Sequence, residues 1–215
     1  SNRLQPNPNK TELLWCSTRR RQHLLPTCAV SFGGASITPS QVVRNLGIFI
    51  DSGLTMQTHV SRTVSRCFGA LRQLRSIRQL VPSSVFQSLV TALVMSRLDY
   101  GNVALAGITS DNIRRLQSVQ NAAARLVFGL RKYDHVTSAL LELHWLKIQE
   151  RIKHKLLTLT YRSLHGIAPC YLNSFSRIST QSGRLSLRSA STDRLLVPTF
   201  KYIGAGYRAF PVYAA

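Results

Sequence analysis

Beyond Gly53 the apolar residues recur at three- and four-residue steps, the spacing that keeps one face of an α-helix in line. Met56, Val60, Val64, Cys67, Phe68, Leu71 and Leu74 predict a first helix. Pro82 followed by Val85, Phe86, Leu89, Val90, Leu93 and Val94 predicts a second, because proline suits a first turn where its missing N–H has no partner. A third begins at Asp111 near a Ser110 cap, runs through Ile113, Leu116, Val119, Ala123, Leu126 and Val127, and stops at Gly129. A short helix follows over Thr137 to Leu143, then a long one from Lys147 to His165. On that last helix Ile148, Ile152, Leu156 and Leu159 form one stripe, and Leu157, Tyr161 and Leu164 another nearly opposite, the pattern of a helix sandwiched between layers. The predicted core takes in Val64, Phe68, Leu71, Leu89, Leu93, Leu116, Leu126, Ile152 and Leu156.

The flanks lack this period. Lys10 to Trp15 and Val43 to Ile50 read as strands, with loop signals between them at Arg19-Arg20-Arg21, Pro26 and Gly33-Gly34. Gly166 and Pro169 end the helical part, and the Ser- and Arg-rich stretch Phe175 to Ala190 reads as a mobile linker. Leu195 to Phe210 has short strand or turn character. The expected fold is therefore mainly α: a helical bundle over residues 53–166, a small antiparallel β part over 1–52 before it, and a partly irregular extension over 167–215.

Charge changes the picture from fold to partner. The 215 residues carry 28 Lys and Arg against 8 Asp and Glu, a formal net charge of +20, and such self-repulsion calls for a polyanion. Nucleic acid is the leading candidate and an anionic membrane surface the rival. The apolar run Val85–Ser96 falls well short of the roughly 20 residues that span a bilayer, so no membrane crossing is expected. No apolar signal core follows Ser1, so an intracellular location, nucleus or cytoplasm, is expected rather than secretion. Cys16, Cys28, Cys67 and Cys170 are widely spaced, and His59, His135 and His154 lack the spacing of a metal site, so no metal is expected on this chain.

Wheel positions place many of these cations opposite the apolar stripes, where a duplex backbone could meet them. Arg62 and Arg66 lie so on the first helix. Arg114, Ser118, Asn121 and Arg125 form a polar comb on the third. Lys147, Arg151, His154, Lys155, Arg162 and His165 gather between the two stripes of the last. Arg78 would fall inside its helix's apolar stripe, so either that helix ends near Ile77 or the arginine snorkels. For any one of these residues a solvated charged face is the competing reading.

Four segments carry a family resemblance: Ser96-Arg97-Leu98-Asp99-Tyr100-Gly101-Asn102, then Leu116 to Val127, Leu143-His144-Trp145-Leu146, and Gly166 to Leu172. In that order they resemble the carboxy-terminal half of jockey-like non-LTR (LINE) retrotransposon reverse transcriptases. Asn7 to Glu12 and Val43 to Asp51 are similar to the last two motifs of the family's palm. Gly101 stands where the family usually has Cys, and Lys147 where it usually has Pro.

The resemblance implies a palm remnant with a primer-grip-like hairpin, a helical thumb and a post-thumb extension, contacting RNA and DNA as a primer–template duplex. It implies that Leu46-Gly47 is the tight turn of the grip, a plain hairpin glycine being the alternative, and that Lys10 is a proton donor near the incoming phosphates. A solvated lysine or an ion pair to Glu12 are the other readings of Lys10. The family's polymerase chemistry uses aspartates that hold two Mg²⁺ ions about 3.5–4 Å apart. This chain has no Asp-Asp pair, so those motifs and the fingers would precede Ser1, and the segment alone is expected to be inactive. Alternatives are a free-standing basic helical nucleic-acid-binding module and a pseudogene fragment without a selected function.

Overall fold

The computed structural model describes residue 7 and residues 10–172, 195–197 and 209–213. The chain is mainly α, with two small antiparallel sheets ahead of the helices. The elements are β1 (Val30–Phe32), β2 (Ala35–Ile37), β3 (Val42–Asn45), β4 (Ile48–Asp51), α1 (Gln57–Ile77), α2 (Ser83–Val90), α3 (Ser96–Asp99), α4 (Ser110–Phe128), α5 (Thr137–Glu142), α6 (Ile148–Leu164) and α7 (Phe210–Tyr213). Among the described residues, the sheets are β1 paired with β2 and β3 paired with β4. The linker expected over 175–190 lies outside the described residues. Of the terminal stretch, Leu195 takes part in a β-bridge and Phe210–Tyr213 form a short helix.

The amino-terminal strands differ from expectation. Lys10 to Trp15 forms no strand: Leu13 makes one isolated bridge to Pro39, and a proline has no N–H with which to extend a ladder. Val43 to Ile50 is not one strand but two, turned at Leu46-Gly47. Register pairs Arg44 with Phe49 and Asn45 with Ile48, leaving a two-residue loop. Leu46 has φ 45 and Gly47 φ 84, so both central residues are left-handed, as the tightest hairpins require. For leucine that conformation costs about 1–2 kcal/mol. The Tyr100 hydroxyl donates to the Leu46 carbonyl and holds the turn in place.

The helices follow the predicted spans closely. Thr109, not Ser110, caps α4, its hydroxyl accepting from Asn112 N–H at 3.5 Å, and Gly129 ends the helix at φ 68. Pro82 stands just before α2 rather than inside its first turn. Between α2 and α3 the helix widens into a π turn over Thr91–Met95, with Ser96 N–H reaching Thr91 O. In a plain α-helix residues four apart drift by about 40° per step. The wider turn removes that drift, so Phe86, Val90, Val94 and Leu98 all stay buried in one row.

The core joins α1, the α2–α3 helix, α4 and the start of α6, with Val60, Cys67, Val119 and Ala123 fully buried. Ile48 of β4 packs on it, docking the hairpin to the helices. Trp145 lies between this core and a smaller one around Ala139, Leu140 and Leu143, a packed corner. Two expected core residues are displaced. Phe68 is 39% exposed because it follows fully buried Cys67 by one residue, or about 100° of helix. Leu93 is 40% exposed because the π turn swings it outward. The sandwich reading of α6 also fails among the described residues: Ile148, Ile152 and Leu156 are buried, whereas Leu157 and Tyr161 are exposed.

Where α3 meets the hairpin a glycine takes a left-handed conformation beneath the Ile48 side chain. Gly101 has φ 65, and a Cβ there would stand 2.6 Å from Ile48 Cδ1.

Candidate nucleic-acid interface

The hairpin turn, the outward side of α1 and the end of α3 enclose a groove of about 920 Å³. Gly47, Phe49 and Tyr100 form one end, and Ala70, Leu74, Ile77 and Leu93 supply an apolar floor. Arg62, Arg66 and Arg97 line it, and no carboxylate does.

Pairing across the hairpin sets up the charged end. Arg44 lies opposite Phe49, and the Phe49 ring, itself buried, has the Arg62 guanidinium 4.0 Å from its centroid, Arg44 at 5.8 Å and Arg66 at 5.9 Å. The electron-rich ring face attracts these cations and keeps them together despite their mutual repulsion. Arg97 donates to the Arg66 carbonyl at 3.4 Å. Phe49 N–H points at His59 Nδ1, 3.5 Å away, so that nitrogen is the acceptor. Burial, and then the Arg66 charge, lower the His59 pKa below its usual 6.5, leaving the neutral ring this contact needs. Gly47 is constrained from the other side, since a Cβ there would stand 3.3 Å from the Tyr100 ring.

Of the residues expected to meet nucleic acid, Leu46, Gly47, Arg62 and Arg66 come together here. Arg44, Phe49, Arg97 and Tyr100 were not anticipated. The cross-strand partner of Phe49 becomes visible only once residues 42–51 are read as a hairpin.

The other ridges are partly committed elsewhere. Arg151 makes a two-pronged ion pair with Asp99, with Nε 2.7 Å from Oδ1, joining α6 to the end of α3. That pairing cross-links the two helices and occupies two of the guanidinium's nitrogens. Arg125 is half-buried, donates to the Asp134 carbonyl at 3.3 Å and keeps its Nε buried without a partner, so it does not project freely from α4. Asn121 accepts from Gln117 at 2.9 Å. That glutamine in turn accepts from Ile148 N–H at 2.9 Å, while Gln120 donates to Leu146 O at 2.8 Å. Gln117 and Gln120, beside the polar comb, thus hold the entry to α6, and Asn121 of the comb is tied to Gln117. Arg114 remains exposed beside Asp111.

Lys147, Lys155 and Arg162 are exposed, with Lys147 N–H capped by the Glu150 carboxylate at 3.0 Å. Lys10 is exposed, forms no ion pair with Glu12 among the described residues and lies outside the groove. Arg78, at the end of α1, crosses to α4 and donates to Leu126 O at 2.6 Å and Val127 O at 2.9 Å, capping that helix.

Chemistry of other kinds finds little support among the described residues. No cluster of three His, Cys, Asp or Glu could hold a metal ion. Burial pushes the Cys67 thiol up to about 11, so it is protonated and unreactive at neutral pH. Among the described residues no helix is long and apolar enough to cross a membrane. No protein-family model, curated protein or solved structure matches this chain.

Proposed function

We propose that this chain is the palm end, thumb and post-thumb part of a reverse transcriptase of the non-LTR retrotransposon kind, and that its groove holds the backbone of a primer–template duplex. The observation that carries the reading is the meeting of the tight Leu46-Gly47 turn with Arg62, Arg66 and Arg97 on one groove that no carboxylate lines. A duplex offers closely spaced phosphates, and guanidinium groups suit them through planar, paired hydrogen bonds. Gly47 serves the turn itself, taking φ 84 with the Tyr100 ring closed over the place of a Cβ. Such contacts position a duplex without reading its sequence. The Mg²⁺ ions of the parent polymerase would be held by aspartates that this sequence does not contain as a pair.

The test is a salt titration of duplex binding by the full chain. Log K should fall linearly with log salt, and Arg62→Ala with Arg66→Ala should flatten the slope by about 2 units, at about 0.9 per phosphate on B-form DNA. Random-sequence and defined duplexes should bind alike. A slope that the double substitution leaves unchanged would overturn the assignment of the groove.

A further inference from the structure

The uncovered side of α6 combines features that the duplex groove does not use. His154, Leu157, Tyr161 and His165 follow one another at three- and four-residue steps, which puts them in a single outward row. Leu157 is 62% exposed and Tyr161 60%, large apolar areas to leave in water without a partner. The His165 ring sits 4.1 Å from the Tyr161 ring, tilted by 40°, and backs one side of it. A tyrosine so exposed and backed on one side presents its other side to solvent. Lys153 flanks the row on one edge, Lys155 and Arg162 on the other, all exposed.

We infer that this row is a stacking platform for a single-stranded polynucleotide, a second nucleic-acid site separate from the duplex groove. Charge selects the occupant first: after Arg151, which Asp99 pairs, the stretch from Ile152 to Leu172 has three Lys or Arg, two His and no acidic residue, so the ligand along the row is an anion. The aromatic row selects next. A base needs a flat ring face with cations beside it for its phosphate, and every base has such a face, so stacking tolerates any sequence. A duplex hides its base faces and cannot use the row. An amphipathic partner helix would need apolar anchors at successive i, i+3, i+4 and i+7 positions, but this row begins and ends on histidine and offers only Leu157 and Tyr161 between. The row extends about 17 Å along the helix, room for a few stacked nucleotides. Beyond it Ile167 and Tyr171 remain exposed, in a turn pinned to α6 by the Ser163 hydroxyl donating to Leu172 O at 2.7 Å.

The experiment measures binding of fluorescein-labelled 12-nucleotide oligo(U) and oligo(dT) to the full chain beside a blunt duplex. Tyr161→Ala should weaken oligonucleotide binding about 5- to 150-fold, the range for losing one stacked base. Tyr161→Phe keeps the ring and should restore it. Duplex affinity should not change in either variant, whereas Arg62→Ala with Arg66→Ala should lower it, so the two sites fail or stand separately. Exposure of Tyr161 makes folding of these variants secure, and circular dichroism checks it. Oligonucleotide affinity that survives both Tyr161→Ala and His165→Ala would overturn the inference. So would a dimer in sedimentation that Leu157→Asp dissociates, because the row would then be an interface between copies of the chain.

Discussion

Arg62 and Arg66 on α1 and Arg151 on α6 all lie away from the buried stripe of their helix, yet they do different work. Across from α1 stand a phenylalanine ring and a glycine turn whose Leu46 carbonyl is taken by Tyr100, and no carboxylate lines the groove, so the guanidinium groups face a ligand without an ion-pair partner there. Across from Arg151 stands Asp99, which takes both prongs of the guanidinium and ties α6 to α3. Wheel position says only that a cation avoids the core. Whether it is free depends on what the rest of the chain brings opposite, and for Arg151 that partner is 52 residues away.

The contrast can be broken first on α6 itself. Ile152→Ala, in the buried stripe, should cost about 2–5 kcal/mol in chemical denaturation, while Leu157→Ala on the outward row should fall within about 0.5 kcal/mol of the parent. Equal losses at both positions would mean that α6 is covered on two sides after all. Next in size, Arg151→Ala should lower stability by about 1–2 kcal/mol, a charged hydrogen-bonded pair discounted for its partial exposure. Arg62→Ala should cost less, about 0.5–1 kcal/mol for the contact it makes over the Phe49 ring. If instead Arg151→Ala proved neutral in stability and flattened the salt slope of duplex binding, the division between cross-link and ligand would have been drawn in the wrong place.

The finest probe is pH. His59 has a folded pKa below its unfolded value near 6.5, because burial and Arg66 oppose its charge. Below pH 6.5 the unfolded chain therefore binds a proton that the folded chain resists. Its contribution to stability is complete above pH 6.5 and declines as pH falls from there toward the folded pKa. Denaturation midpoints measured down this range should show the decline, and His59→Gln should reduce it. An unaltered profile in the variant would assign the acid sensitivity to other groups.

These differences mark what could be read along the chain. The helices were legible because each carries several apolar residues at regular steps, and Gly129 marks a stop with the conformation it is suited to adopt. The hairpin was less so, since its turn begins with leucine, a residue that ordinarily avoids positive φ, and it is Tyr100, far along the chain, that fastens it. The exposed Phe68 and Leu93 follow from a one-residue offset and a π turn, both smaller than the resolution of a three-or-four-residue pattern. At the candidate groove, Arg62 and Arg66 were legible as outward cations. Arg44 and Arg97 were not, because they join them only through cross-strand register and the return of α3.

Gly101 and Ile48 share one small allotment of space at the foot of the groove. With a backbone pass this tight, the side chain that one position gains the other must give up. The family resembled here usually carries cysteine at the place of Gly101, and a thiol side chain there would meet the Ile48 methyl head-on. In this chain a side chain at position 101 would be strained by the positive φ and would push the Ile48 side chain aside. The two sites form a molecular shim: the space that the glycine leaves empty is taken by the outer carbons of Ile48, and that contact seats the hairpin against the end of α3.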